Sequence, residues 1–115
     1  MDAVARGGAV TPGLLKEVVA RIRSAGRPSR IILFGSRARG DADEDSDLDL
    51  LVVEPALREQ DRGERMVRYR AAIGRIGLGV DLLVYSEKEL ADRGRVRGTT
   101  LYQALAEGRT LYGPA

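Results

Sequence analysis

The stretch that most constrains this chain runs from Phe34 to Val53, FGSRARGDADEDSDLDLLVV, where two apolar runs flank a dense set of acids. Arg30 to Phe34 (RIILF) and Asp47 to Val53 (DLDLLVV) are rich in β-branched and aromatic residues, as buried strands are. Six carboxylates fall between Asp41 and Asp49, and the last two open the second run. Side chains alternate faces along a strand, so Asp47 and Asp49 point one way while Leu48, Leu50 and Val52 point the other. An ionised aspartate on a strand is costly to bury unless it is paired or bound to a cation. The plain alternative is that the two aspartates merely begin the strand and face water.

The rest of the chain alternates helix and strand signals. Residues 1–10 read as a flexible tail of small residues. Thr11-Pro12 reads as an N-cap and first helical position, and Leu14, Leu15, Val18, Val19 and Ile22 recur at helical spacing up to Gly26. Residues 35–40 (GSRARG) are a glycine-bracketed turn with room for one helical turn. A second helix is expected from Leu57 to Ile76, with Met66, Tyr69, Ile73 and Ile76 as a narrow core stripe and GLG at 77–79 as its breaker. Val80 to Tyr85 (VDLLVY) is a third strand, and Ser86 with Glu89 forms a capping-box pattern for a short helix. RGRVRG at 93–98 reads as a loop, Thr100 to Ala106 as a last helix, and RTLYGPA as an edge strand and tail. The pattern predicts an α/β sandwich around a small sheet, as one domain over residues 1–115.

Composition narrows the chemistry. With no cysteine and no histidine, disulfides, thiolate nucleophiles and imidazole bases are excluded, which leaves carboxylates, hydroxyls and Lys or Arg. No apolar run approaches the roughly 18 residues that cross a bilayer, and the N-terminal residues lack the apolar core of a signal peptide, so a cytoplasmic protein with no membrane partner is expected. The net charge of +2 conceals a segregation: residues 41–49 hold 6 of the 17 acids and no base, so the remainder carries 19 − 11 = +8. An acidic cluster in a basic surface suits a polyanion bound through cations, with arginines on its other oxygens. Of the 19 bases 17 are Arg, and Asn is absent, a bias that heat adaptation or a GC-rich genome would equally produce.

The candidate site follows from spacing. Asp81 is a third acid, second in another apolar strand, where alone it would pass for an ordinary edge-strand aspartate. If the second and third strands are neighbours, Asp47, Asp49 and Asp81 converge as a two-metal phosphoryl-transfer site requires, its ions about 3.5–4 Å apart. Gly35 at the end of a buried strand lets a ligand approach the backbone, and Ser36 offers a hydroxyl and an N–H at the start of a turn. Arg37 and Arg39 are placed to meet phosphate oxygens, or else are solvated loop arginines. Two better-known motifs fail. GSRARGDA has Walker A glycine spacing but carries Asp41 and Ala42 where Lys and Ser or Thr belong, and the EF-hand-like run from Asp43 has Leu48 where glycine is required.

Gly35-Ser36, ten intervening residues, Asp47-Leu48-Asp49-Leu50 and a later strand aspartate, Asp81, resemble the signature of the DNA polymerase β-type nucleotidyltransferase superfamily. The short length, GSRARGD and the closing LAEGRTLYG resemble its minimal nucleotidyltransferase, or MntA-like antitoxin, group, over roughly Ile31 to Tyr112. The resemblance implies a small mixed β-sheet flanked by helices, with Asp47 and Asp49 binding divalent ions and Asp81 either completing the metal site or acting as base. It further implies that Gly35 and Ser36 hold the phosphates and that AMP passes from ATP, with two magnesium ions, to a hydroxyl. In that group the acceptor is often a tyrosine of a HEPN-type toxin, which is silenced. The alternatives are an antitoxin with a vestigial site that acts by occlusion, and a transferase acting on RNA or a small molecule. A nucleic-acid partner is not expected, since the chain lacks the helical domain with which larger relatives hold RNA, and a homo-oligomer is left open.

Overall fold

The computed structural model describes residues 10–114, so the expected tail at 1–10 lies outside the described residues except for Val10, which packs against the core. Its helices are α1 (Pro12–Ala25), α2 (Ser36–Arg39), α3 (Arg62–Ile73), α4 (Glu87–Arg93) and α5 (Thr100–Glu107), and its strands β1 (Arg30–Phe34), β2 (Leu48–Glu54), β3 (Val80–Ser86) and β4 (Arg109–Tyr112). The strands form one mixed sheet in the order β3-β2-β1-β4, parallel between β2 and β3 and antiparallel elsewhere. This is the expected α/β architecture.

The sheet separates two apolar layers because β2 is buried on both faces. Leu48, Leu50 and Val52 join α1 and α3 residues such as Leu14, Val18, Ile22, Tyr69 and Ile73. Leu51 and Val53 face the other way, into a layer with Phe34, Leu90, Leu101 and Ala104 beneath α4 and α5. Asp49 therefore belongs, by alternation, to the α5 side of the sheet.

Local chemistry sets the helix ends. Thr11 accepts from the Leu14 N–H at 3.1 Å, and Ser86 and Glu89 form the expected capping box. The second long helix is shorter than its periodicity predicts: a 3-10 turn occupies Glu59–Asp61, α3 starts only at Arg62, and Gly74 at φ 66° ends it before Gly77 is reached. Ile76 is buried, but from the connecting segment.

Much of the arginine content closes open backbone. Arg62 donates to Val84 O at 2.6 Å and Arg70 to Val80 O at 2.8 Å, so both cover carbonyls along β3, an edge strand. Arg21 donates to Ile73 O, and Arg68 to Ala25 O, at the C-terminal ends of α3 and α1.

At the far end of β2, Glu54 is only 6% exposed and accepts from Tyr69 OH at 2.7 Å and from Arg65 Nε at 3.2 Å. Burial and the bond to Glu54 push the Tyr69 phenol above its ordinary value. Tyr69→Phe removes one of these donors from a buried carboxylate. It is expected to lower stability by about 1–3 kcal/mol, measured as a reduced denaturant midpoint with unchanged slope.

Candidate active site

All the candidate residues lie at one end of the sheet, where β1 finishes and β2, β3 and β4 begin. Asp49 pairs in register with Phe34 on one side and with Asp81 on the other, so the parallel β2–β3 ladder sets the two aspartates side by side. Asp47 stands one residue ahead of β2, held by the bond from the Leu48 N–H to Gly79 O at 2.8 Å. Asp47 and Asp81 are exposed and Asp49 is half-buried. Burial, then the charges of Asp81 and Asp47, push the Asp49 carboxyl above the ordinary 3.8, against a smaller opposing pull from Arg39 and Arg37.

Two glycines make room for the carboxylates. A Cβ on Gly35 would stand 2.0 Å from Asp49 Oδ2, and one on Gly79 2.3 Å from Asp47 Oδ1. Gly35 also adopts φ 73° and ψ −160°, a region open essentially only to glycine. Its first task is thus to admit the Asp49 side chain across the strand pair. The sequence pattern places Gly79 in a helix breaker and does not mark it as a site residue.

Ser36 starts α2 and is half-buried, with its hydroxyl unbonded to any other described residue. Arg37 turns to the acidic loop, donating from Nε and Nη2 to Ser46 O at 3.1 and 2.7 Å and from Nη2 to Asp43 O at 3.2 Å. Asp43 in turn accepts from the Asp45 N–H and from Ser46 Oγ. The loop that spans Gly40 to Asp47 is thus a built turn, its Glu44 and Asp45 exposed, and Arg37 is its anchor. Arg39 bridges Asp41 at 3.1 Å and Glu107 at 2.9 Å, and its bond to Asp41 raises its guanidinium further.

A groove of about 410 Å³ opens beside this end of the sheet, lined by Phe34, Gly35, Arg39, Gly98, Thr99, Thr100, Gln103 and Glu107. Gly35 is common to the groove and to the acid cluster. The α5 residues escape sequence reasoning because nothing local marks them beyond Thr99, the helix N-cap, whose hydroxyl accepts from the Tyr102 N–H. Among the described residues no three acids close around one point as a finished metal cage. Asp47, Asp49 and Asp81 instead form a rim of hard oxygen donors, which suits a magnesium ion that retains waters and shares its coordination with phosphate.

A family model described as "Nucleotidyltransferase domain" matches residues 15–105. The chain belongs to this nucleotidyltransferase family. It is 35% identical over 100 residues to a Methanocaldococcus jannaschii protein proposed to be a protein adenylyltransferase, covering 85% of this chain and 94% of that one. The solved structure of a proposed nucleotidyltransferase from Sulfolobus solfataricus aligns with a TM-score of 0.62 at 29% identity, over 87% of this chain and 78% of that chain. A chain from the solved complex of a tri-AMPylated Shewanella oneidensis HEPN toxin with an MNT antitoxin shares the fold, with a TM-score of 0.50 at 20% identity over 88% and 71% of the two chains. The fold is that of the polymerase β-like nucleotidyltransferases.

Proposed function

We propose that this nucleotidyltransferase moves AMP from ATP to a protein hydroxyl, a tyrosine of a HEPN-type toxin, and thereby acts as an antitoxin. The observation that carries the reading is the register of Asp49 beside Asp81, with Asp47 two residues earlier, at the rim of the groove that Gly35 joins. The adenylyltransferase relative and the toxin–antitoxin fold neighbour support the choice of acceptor.

Asp47 and Asp49 would hold two magnesium ions, with Asp81 as third ligand or as base. The ions would supply charge neutralisation on the phosphates and orient the acceptor oxygen. Gly35 and Ser36 take phosphate oxygens at the backbone and hydroxyl. Arg39 borders the bound nucleotide, and Arg37 acts through the loop it anchors. The acceptor oxygen forms a bond to the α-phosphorus, the bond from that phosphorus to the bridging oxygen breaks, and pyrophosphate leaves while the hydroxyl proton is released. Catalysis of this kind is positioning and charge stabilisation, which carboxylates and arginines perform without histidine or cysteine.

Co-expression with a HEPN-type toxin tests the assignment. The partner is expected to co-purify with a nucleoside monophosphate on a tyrosine, detected by intact and peptide mass. A partner neutralised but unmodified would replace transfer with occlusion, and label found only on RNA or a metabolite would replace the protein acceptor.

A further inference from the structure

The arginines of this chain are mostly engaged by carboxylates or carbonyls, among them Arg30, Arg39, Arg58, Arg62 and Arg65. Arg95 and Arg97, like Arg27, Arg75 and Arg109, are exposed and meet no side-chain hydrogen-bond or ion-pair partner among the described residues, but only these two stand two residues apart and flank an apolar side chain. Between them Val96 is 53% exposed, one of two large apolar side chains so open among the described residues. The turn is fixed, since the Val96 N–H donates to Arg93 O at 3.1 Å and Thr99 Oγ1 donates to Val96 O at 2.8 Å. From Arg93 to Gln103 the chain carries no acid.

This turn adjoins two depressions, Val96 lining one and Gly98 the other. The first is a pocket of about 320 Å³ lined by Tyr85, Val96, Thr99 and Leu101, among others. The second is the groove of the active site, which shares Thr99 and Thr100 with that pocket. A segment lying over this turn is therefore next to the groove.

We infer that Arg95-Val96-Arg97 is the docking surface for the acceptor, and that it takes an acidic protein segment with an apolar side chain near the acceptor hydroxyl. Two unneutralised cations draw carboxylates and steer their approach, while an exposed valine lining an apolar pocket offers an apolar anchor that a partner can cover. A single-stranded nucleic acid would use the same cations but needs aromatic faces for its bases. Tyr85, the aromatic of this pocket, already has the Arg62 guanidinium 4.8 Å from its ring centre. A peptide fits these surroundings better than RNA. The inference rests on the transfer reading only for the hydroxyl; the docking chemistry stands apart from it.

The test uses a fluorescent tyrosine peptide with flanking acids and one leucine, the same peptide with lysines for the acids, and a single-stranded RNA of equal charge. Binding is measured on the Asp49→Asn protein, so turnover does not enter, and labelling from ATP is measured on the wild type. The acidic peptide is expected to bind about tenfold or more tighter than the basic one. Arg95→Glu with Arg97→Glu should reverse that order, Val96→Ser should weaken the acidic peptide severalfold, and ATP binding should be unchanged in each. Equal affinity for both peptides, an unchanged preference in the double variant, or tighter binding of the RNA would overturn the inference. Selective binding of an acidic peptide that is never labelled would retain the docking surface and remove the transfer reading.

Discussion

Asp49→Asn is expected to reduce nucleotidyl transfer about a thousandfold or more while leaving the protein folded and, at neutral pH, more stable than the wild type. The loss follows from removing one carboxylate of the pair proposed to hold metal, an interaction of several kcal/mol in the transition state. The gain follows from the raised pKa of Asp49, whose ionised form is desolvated and crowded by Asp81 and Asp47. An acid whose folded pKa exceeds its unfolded value destabilises the native state when ionised. That penalty disappears as pH falls through the folded pKa toward the unfolded one. The stability gap between Asp49→Asn and wild type, both stripped of divalent ions, should therefore be largest near neutrality and narrow on acidification. Glu87 and Glu89 behave oppositely: Arg30 holds Glu87 below its ordinary value, and Arg62 with the Ser86 N–H outweighs burial to do so for Glu89. Their contributions are lost as pH falls through their folded pKa, in both proteins alike. Thermal melts across pH separate the Asp49 effect from this common background.

Gly35→Ala is expected to damage both fold and site. An alanine at φ 73° and ψ −160° costs about 1–3 kcal/mol in backbone strain. Its Cβ would also stand 2.0 Å from Asp49 Oδ2, so the carboxylate must leave its position on the rim. A displacement of this size is expected to lower transfer by about a hundredfold. Gly40→Ala provides the control, because Gly40 has φ 88° but a Cβ placed there would meet nothing within 4 Å. It should lose stability from strain and retain transfer. Similar activity in the two variants would mean that Gly35 serves the turn and not the Asp49 carboxylate.

β1, β2 and β3 are legible because each is a short apolar run with clear breakers, and Asp47 and Asp49 stand out because their alternation opposes the run of β2. Pairing Asp49 with Asp81 needed more than pattern: it depends on β2 and β3 being parallel neighbours, which the α3 crossover decides. Arg37 illustrates a different limit. Its sequence position invites phosphate, yet its partners are the carbonyls of Asp43 and Ser46, and backbone acceptors leave no trace in side-chain identity. Gly79 is obscured by Gly77 and Leu78, with which it forms a plausible helix breaker, although Gly74 performs that task and Gly79 makes space for Asp47. The α5 wall of the groove comes from residues distant in the chain, so only the packing of α5 on β1 exposes their role.

The acidic loop shows how composition can misdirect. Its charge density draws attention first, but Asp41 pairs with Arg39, Asp43 organises a turn, and Glu44 and Asp45 are exposed. In the proposed function the chemistry falls instead to Asp47, Asp49 and Asp81, of which Asp49 and Asp81 are neighbours across the β2–β3 ladder.

The most direct measurement is transfer from ATP labelled in turn at the α- and γ-phosphorus, with magnesium and the HEPN-type toxin proposed as partner. Nucleotidyl transfer predicts α-label on the partner, no γ-label there, and loss of the α-label with Asp49→Asn. A γ-labelled partner, or α-labelling undiminished in Asp49→Asn, would contradict it.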